Sequence, residues 1–539
     1  YTNGCMQKKF ISFEETKRFS KLITSYLDQA EQLKPFYGLY PSVENFKKQI
    51  ALKKESYPDT HRKILVETLK AQYSSITHSK AVVNNLKLLE KENTFTITTG
   101  HQLSLMTGPL YFLYKIISTI NLCKRLKETY PKSDFVPVYW MASEDHDFEE
   151  ISSFRYQDKS IRWPREAAGA VGEMSLEDLQ PALDLFKQHL GESTNAKQLK
   201  KWIDESYLKS KNLSEATLRL VNILFGEYGL IVIEPQHSAL KSIFKPILKE
   251  ELQVNPSFKA VNSQVEDIKK GYNTSYTPQV NPREINLFYL TPNGRYRIEK
   301  NESTFHLHGT EQSFSKAEFI KLVDTHPERF SPNVILRPVY QECILPNLCY
   351  IGGGGELAYW FQLTSTFEHF GLPFPMLLLR NSALLYSKKL AKKIEKLNLE
   401  TPDLFLKRNA LLNKKVRQIS NVDLDLSPLK EQLKKQFDSL QQLVKKTDAS
   451  FQGAVEAQQA KQLKGIKHLE KRLLKAQKRV LKDEVERLVF LHEQLFPNDN
   501  LQERVLNFSS FYMELGSEFI PELIEALDPL NPDFVLLEY

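Results

Sequence analysis

Apolar residues fall along this chain in three patterns, and each predicts a different architecture. The first is a set of short, nearly unbroken apolar runs at 95–98, 135–142, 230–235, 347–351 and 374–379. A strand buried on both faces loses its alternation, so these read as strands of a parallel sheet. The second pattern is helical. Leu110, Leu113, Ile116, Ile117, Ile120 and Cys123 share one face of a helix predicted from about Pro109 to Pro131. The first ninety residues also read as helical, with Ser12 and Glu15 spaced as a capping box and Pro35, Pro41 and Pro58 as breaks. The third pattern begins near Ala383, where the chain turns rich in Lys, Gln, Leu and Glu. Ile466, Leu469, Leu473, Ala476 and Val480 follow the 3-4-3-4 spacing of a coiled-coil seam, and Leu429, Leu433, Leu440 and Leu443 give a second, weaker one. Ser427 and Pro428 mark a helix start. A hinge near residues 451–453 would fold two long helices antiparallel.

These patterns predict an α/β fold with a parallel-sheet core over residues 1–384. Insertions fall at about 151–220 and 236–330, the second holding a hairpin signal at Pro292, Asn293 and Gly294. An α-helical coiled-coil arm follows over 385–495. Residues 496–539 return to core-like composition.

Composition narrows the class without naming a function. A chain of 539 residues exceeds one compact core, and 41% hydrophobic with 26% charged residues is globular. The net charge of +7 is mild for this length and does not by itself call for nucleic acid. Four cysteines (Cys5, Cys123, Cys343 and Cys349) lack paired spacing, which predicts reduced thiols in a cytoplasmic protein. No apolar run approaches the ~20 residues of a membrane span. Residues 1–9 resemble neither a signal peptide nor an initiator-Met start.

Candidate chemistry gathers where the predicted strands end. Gly100, His101 and Gln102 follow the first strand as a turn, ahead of a helix whose start suits an anion. Ser143, Glu144, Asp145, His146 and Asp147 follow the second strand. Carboxylates crowded there suit an amine, a ribose or a sugar hydroxyl, and one could act as a base. Asp145 and His146 could also join His101 around a divalent metal, although no Cys accompanies them. Residues 352–355 are four glycines ahead of a helix, a pattern that suits phosphate but fits no standard fingerprint. Arg337, Gln341, Tyr359 and Arg380 sit at neighbouring element ends and suit carboxylates. His306 and His308 read as a surface strand. The nine Lys and Arg of residues 461–482 lack interleaved aromatics and read as a solvated coiled-coil face rather than a nucleic-acid site.

With these segments on the page, the chain resembles the cysteine ligase family of bacillithiol biosynthesis (the BshC family). The resemblance rests on Thr99-Gly-His-Gln102 with Gly108-Pro109, on residues 137–150, on Arg337-Pro-Val-Tyr-Gln341 with the glycines to Glu356, and on Leu501-Gln-Glu-Arg504. It implies a Rossmann-like core related to class I aminoacyl-tRNA synthetases, and a coiled coil that makes a homodimer. It implies an enzyme that forms an amide between L-cysteine and glucosaminyl-malate, the last step of bacillithiol biosynthesis. A carboxylate would be activated by ATP or another nucleotide, and the cysteine amine would attack. His101 and Gln102 would then meet phosphate or developing negative charge. Glu144, Asp145 and Asp147 would hold the cysteine amine or sugar hydroxyls, with Ser143 beside them and His146 as a base. Gly353, Gly354 and Gly355 would floor the pocket, and Arg283 or Arg380 would grip the malyl carboxylate. No zinc is expected, and residues 380–389 lack the synthetase signature that should follow the last core strand. The rival expectations are a dimeric scaffold or nucleic-acid binder with a vestigial pocket, and a nucleotidyltransferase acting on another small molecule.

Overall fold

The structure is a computed structural model that describes residues 6–167, 169–302, 304–447 and 450–539. Cys5 and most of the chain start discussed above lie outside these residues. In chain order the strands begin with β1 (Gln7–Ser12), β2 (Thr94–His101) and β3 (Asp134–Met141). A hairpin of β4 (Ser153–Tyr156) and β5 (Lys159–Arg162) follows, then β6 (Ile231–Ile233). Next come β7 (Leu287–Thr291), β8 (Gly294–Asn301), β9 (Thr304–Leu307), β10 (Ser313–Ser315) and β11 (Phe330–Pro332). The last four are β12 (Asn347–Gly352), β13 (Met376–Leu379), β14 (Ala383–Tyr386) and β15 (Asp533–Glu538).

The five apolar runs form one parallel sheet in the order β13-β12-β2-β3-β6. Read from β6, its strands come third, second, first, fourth and fifth along the chain, which is the doubly wound Rossmann arrangement. The order reverses between β2 and β12, and ligands bind beyond the strand ends at such a point. Every residue of β2 is buried, in keeping with its lack of alternation. The helix after it spans Tyr111–Thr129 and stops short of Pro131.

Several local expectations need correction. Gly100 and His101 are the last residues of β2, not a turn. Between them and the helix lies a short 3-10 turn, Leu105–Thr107, closed by Gly108 at φ 66, where a Cβ would come within 2.6 Å of Ser104. Only glycine tolerates that position. Arg337 and Gln341 lie within helix Leu336–Ile344 rather than at an element end. The Ser12 capping box is present, but it opens a single turn, Phe13–Thr16, after a strand that the helical reading of the first ninety residues missed.

The second insertion contributes helices Ser238–Val254 and Pro256–Gly271 and an antiparallel sheet ordered β10-β9-β8-β7-β11. Its β7–β8 hairpin falls within the expected Pro292–Gly294 signal: Pro292 and Asn293 make the turn, and Gly294 already pairs with Thr291. A third sheet, β1-β15-β14, joins the first described strand to the last. The helical arm therefore departs after β14, which sequence had assigned partly to the arm.

The arm consists of helices Ser427–Val444, Ser450–Val480 and Lys482–Leu495. Ser427 is its first helical residue rather than a cap, with Asp425 accepting from the Ser427 N–H at 2.9 Å. The break lies between Val444 and Ser450, so residues 451–453 are helical. The two long helices pack through Leu433, Phe437, Val444 and Val455. Leu440, Leu443, Leu469 and Val480 of the predicted seams stay exposed. No helix among the described residues is long and apolar enough to cross a membrane.

Candidate active site

A cavity of about 870 Å³ opens at the carboxyl ends of β2, β3 and β12, with β7 and β8 across from them. It brings together Gly100, His101, Gln102, Ser143, Glu144, Asp145, His146, Arg283 and Tyr359. The contact between the two main motifs is direct. The Gln102 amide nitrogen donates to Asp145 at 3.0 Å and to Glu150 at 2.9 Å. Register explains it: β2 and β3 are parallel neighbours, with His101 opposite Met141, so both chains leave the sheet side by side.

Asp145 is tied to the far wall as well. Its carboxylate accepts from the His146 N–H at 2.8 Å and lies 3.6 Å from the Arg295 guanidinium of β8. Burial works against the charge, but hydrogen bonds from His146 and Gln102 and the nearby Arg295 outweigh it and hold the carboxyl well below its ordinary range. Arg295 also meets the His146 Nδ1 at 3.1 Å and sits 4.0 Å over the Phe288 ring. Glu144 pairs with the fully buried Lys241. Burial lowers the pKa of that lysine despite the carboxylate. The Ser143 hydroxyl donates to Glu234, a carboxyl whose pKa burial raises. Asp147 is exposed and outside the lining, at the start of helix Phe148–Ile151.

His101 sits deeper. Its Nε2 is buried without a hydrogen-bond partner, and its ring meets Tyr111 edge-on at 5.4 Å. Burial first, then the charges of Lys115 and Arg380, push its pKa down to about 3. It is therefore a neutral imidazole near pH 7, able to donate one N–H but not to act as a fixed cation. Lys115, from the helix after β2, donates to the Gly100 carbonyl at 2.7 Å and pairs with Glu356 at 2.6 Å.

Glu356 alters the reading of the glycine run. It accepts from the Gly353 N–H at 2.8 Å and from the Tyr350 hydroxyl at 2.6 Å, so its carboxylate caps the first turn of helix Gly354–Trp360. A phosphate there would face a carboxylate already using the N–H it needs. The run does not fit a nucleotide cradle, and Gly353, Gly354 and Gly355 do not line the cavity. Arg380 is also engaged: it is 3% exposed, pairs with the buried Glu503 at 2.8 Å, and lies 4.9 Å over the Tyr111 ring. It is not free to grip a substrate carboxylate.

Arg337 is free. It lines the cavity floor, 5.9 Å over Trp140 and 5.5 Å over Tyr350, and no salt bridge engages it among the described residues. Gly100 faces it: a Cβ there would lie 3.7 Å from Arg337 and 3.2 Å from the Tyr350 hydroxyl. Gln341 is fully buried beneath Arg337 and touches the cavity only through it. Arg283 stands exposed at the mouth. Sequence reasoning missed Lys115, Lys241, Arg295 and Glu234. The signal for Lys115 was a lysine set among the apolar positions of its helix; Arg295 offered only its place after the hairpin turn.

Cys123, Cys343 and Cys349 are buried free thiols outside the cavity lining, and burial pushes Cys343 up to about 12. No group of three or more His, Cys, Asp or Glu is placed to hold a metal among the described residues. His308 reaches the cavity edge, 3.0 Å from Glu299, while His306 meets Thr304 at 3.0 Å.

A doubly wound sheet with a charged hollow at its switch point defines a Rossmann-like α/β protein. Residues 6–381 match the family model described as Bacillithiol biosynthesis BshC, N-terminal Rossmann-like domain, and residues 383–539 match its C-terminal coiled-coil domain. The chain belongs to the BshC family of bacillithiol biosynthesis. It is 52% identical over 527 residues to a Flavobacterium johnsoniae protein named "Putative cysteine ligase BshC", covering 98% of this chain and 99% of the relative. A Christiangramia forsetii relative of the same name is 51% identical, covering 99% of both chains. A Cytophaga hutchinsonii relative is 36% identical, covering 96% of both.

Proposed function

We propose that this chain is a ligase that forms an amide between L-cysteine and glucosaminyl-malate. The observation that carries the reading is the two-ended cavity. Gln102, Asp145 and Glu150 meet at one end, and the unpaired Arg337 lies on the floor. Such a site suits a ligand that is cationic at one end and carboxylate at the other.

The polarity of the site revises which amine attacks. Acids beside Gln102 would hold the cysteine amine as an ammonium, which has no lone pair. The sugar amine is then the nucleophile and the cysteine carboxyl the acyl group. One C–N bond forms, the nitrogen loses a proton, and a carboxyl oxygen leaves. Oxide is a poor leaving group, so the carboxyl needs prior activation; the glycine run offers no fitting place for it, and no step is assigned there. The neutral His101 would donate to the oxyanion that develops on the acyl carbon. A cation such as Arg337 would hold a carboxylate in two-pronged fashion.

We further propose that a second copy of the chain covers the arm, because Leu469 and Val480 lie exposed along a coiled-coil spacing. The scaffold or nucleic-acid reading gains less support: Glu470 pairs with Lys430 at 2.6 Å and lies 3.7 Å from Arg417 within the basic stretch.

The test uses a Flavobacterium johnsoniae strain lacking its relative of this chain. The wild-type chain restores bacillithiol, whereas folded His101→Ala and Asp145→Ala variants do not. Full thiol levels in both variants would overturn the assignment.

A further inference from the structure

The Arg337 Nη2 donates at 3.4 Å to the hydroxyl of Tyr359, which lines the cavity; the other arm of Arg337 is aimed by buried residues outside the lining. Its Nη1 donates to the Gln341 amide oxygen at 3.0 Å. The Gln341 amide nitrogen donates to Glu342 Oε1 at 3.0 Å. Glu342 also accepts from the Asn347 amide at 2.6 Å and from Lys53 at 3.2 Å. Gln341, Glu342, Asn347 and Lys53 are all buried, at 1% exposure or less. Lys53 comes from helix Val43–Ser56, far away in sequence, whose Phe46 packs against Leu348 of β12.

The chemistry of this chain is directional. An amide side chain can turn either its oxygen or its nitrogen toward a neighbour. A carboxylate only accepts, so Glu342 takes the Gln341 nitrogen and leaves the oxygen facing Arg337. With an apolar residue or an amide at 342 the Gln341 side chain loses that instruction. Half of its orientations would then present N–H groups to a guanidinium that has only donors. Burial raises the pKa of Glu342, and Lys53 with the amides of Asn347 and Gln341 opposes that rise. A buried ion pair is a poor source of stability, which leaves orientation as what this one contributes.

We propose that Glu342, held by Lys53, is a positioning residue: through Gln341 it fixes the guanidinium of Arg337 as a fork for a substrate carboxylate. This rests on the ligase reading for the identity of that carboxylate, which belongs to the malyl group or to cysteine.

Binding is measured directly, by calorimetric titration of the full chain with L-malate and, separately, with L-cysteine, so that turnover is not needed. Two variants remove the lock. Gln341→Met keeps volume and deletes the acceptor. The double variant Lys53→Met with Glu342→Gln removes both buried charges together, so no unpaired charge remains to unfold the chain. Each is expected to melt near the wild-type temperature and to bind one of the two probes about tenfold more weakly, the size of one lost hydrogen bond to a charged group. The probe that weakens identifies the carboxylate: L-malate assigns the malyl end, L-cysteine the amino acid. Wild-type affinity for both probes in folded Gln341→Met would overturn the positioning role. A wild-type chain that binds either probe but forms no thiol would count against the ligase reading alone.

Discussion

The cavity and the arm are both incompletely satisfied, in opposite ways. Around the cavity, charged groups are enclosed and one of them, Arg337, makes no ion pair among the described residues. Along the arm, apolar groups are left in water, with Leu469 58% and Val480 75% exposed. Each deficit describes what would complete it. An enclosed cation calls for a small anion, and an exposed apolar stripe at coiled-coil spacing calls for another helix. Elsewhere in the core such deficits are closed internally, as Glu503 closes the charge of Arg380 at 2.8 Å.

The strongest way to break this contrast is to treat the two arginines alike. Arg380→Met leaves the buried Glu503 carboxylate without its ion-pair partner, held only by the Ser382 hydroxyl and the Ala383 N–H, and urea unfolding is expected to report a loss of about 3–5 kcal/mol. Arg337→Met removes a charge that no ion pair engages among the described residues but leaves the buried Gln341 oxygen without its donor, with an expected loss of only about 1–2 kcal/mol. Equal losses in the two variants would mean that Arg337 is structural after all.

A second test concerns His101. Its folded pKa of about 3 lies below the ordinary 6.5, so the unfolded chain binds the extra proton first. Its contribution is absent above pH 6.5, and stability falls as pH drops below that, by about 1.4 kcal/mol per pH unit. Unfolding free energies at pH 7 and pH 5 should therefore differ by about 2 kcal/mol less in His101→Gln than in the wild type. An identical pH dependence in both would show that the imidazole is not held neutral by its surroundings.

The smallest energetic effect is expected on the arm. Leu469→Glu with Val480→Glu should alter the unfolding of a single chain by about 0.5 kcal/mol or less. Sedimentation should nevertheless show the particle mass halved. A wild-type chain that already sediments as one copy would end the comparison on that side.

How much of this was legible in sequence depended on whether the cause was local. The core strands announced themselves because double burial leaves no polar position: β2 is buried at all eight residues. The hairpin at Pro292-Asn293 was equally plain. In contrast, β1 is an edge strand reading Gln-Lys-Lys-Phe-Ile-Ser, with four exposed residues and no visible alternation. The placement of Gln102 against Asp145 followed from two motifs at the ends of neighbouring strands. The fate of Arg380 could not follow, because its partner lies 123 residues away. Likewise, nothing in four consecutive glycines reveals that Glu356 already occupies the N–H group a phosphate would use. The arm seams were misjudged for a similar reason: heptad spacing names candidate faces, and only the turn after Val444 decides which face turns inward.

The sheet that joins β1 to β15 has a consequence for biosynthesis. Gln7 pairs with Glu538, and Ser12 with Asp533. During translation β1 must therefore wait, unpaired, until β15 has left the ribosome. The helical hairpin is made and free to fold in the meantime. A nascent chain cut short anywhere before residue 533 keeps that edge open, which hands chaperones and proteases a ready mark of an unfinished product.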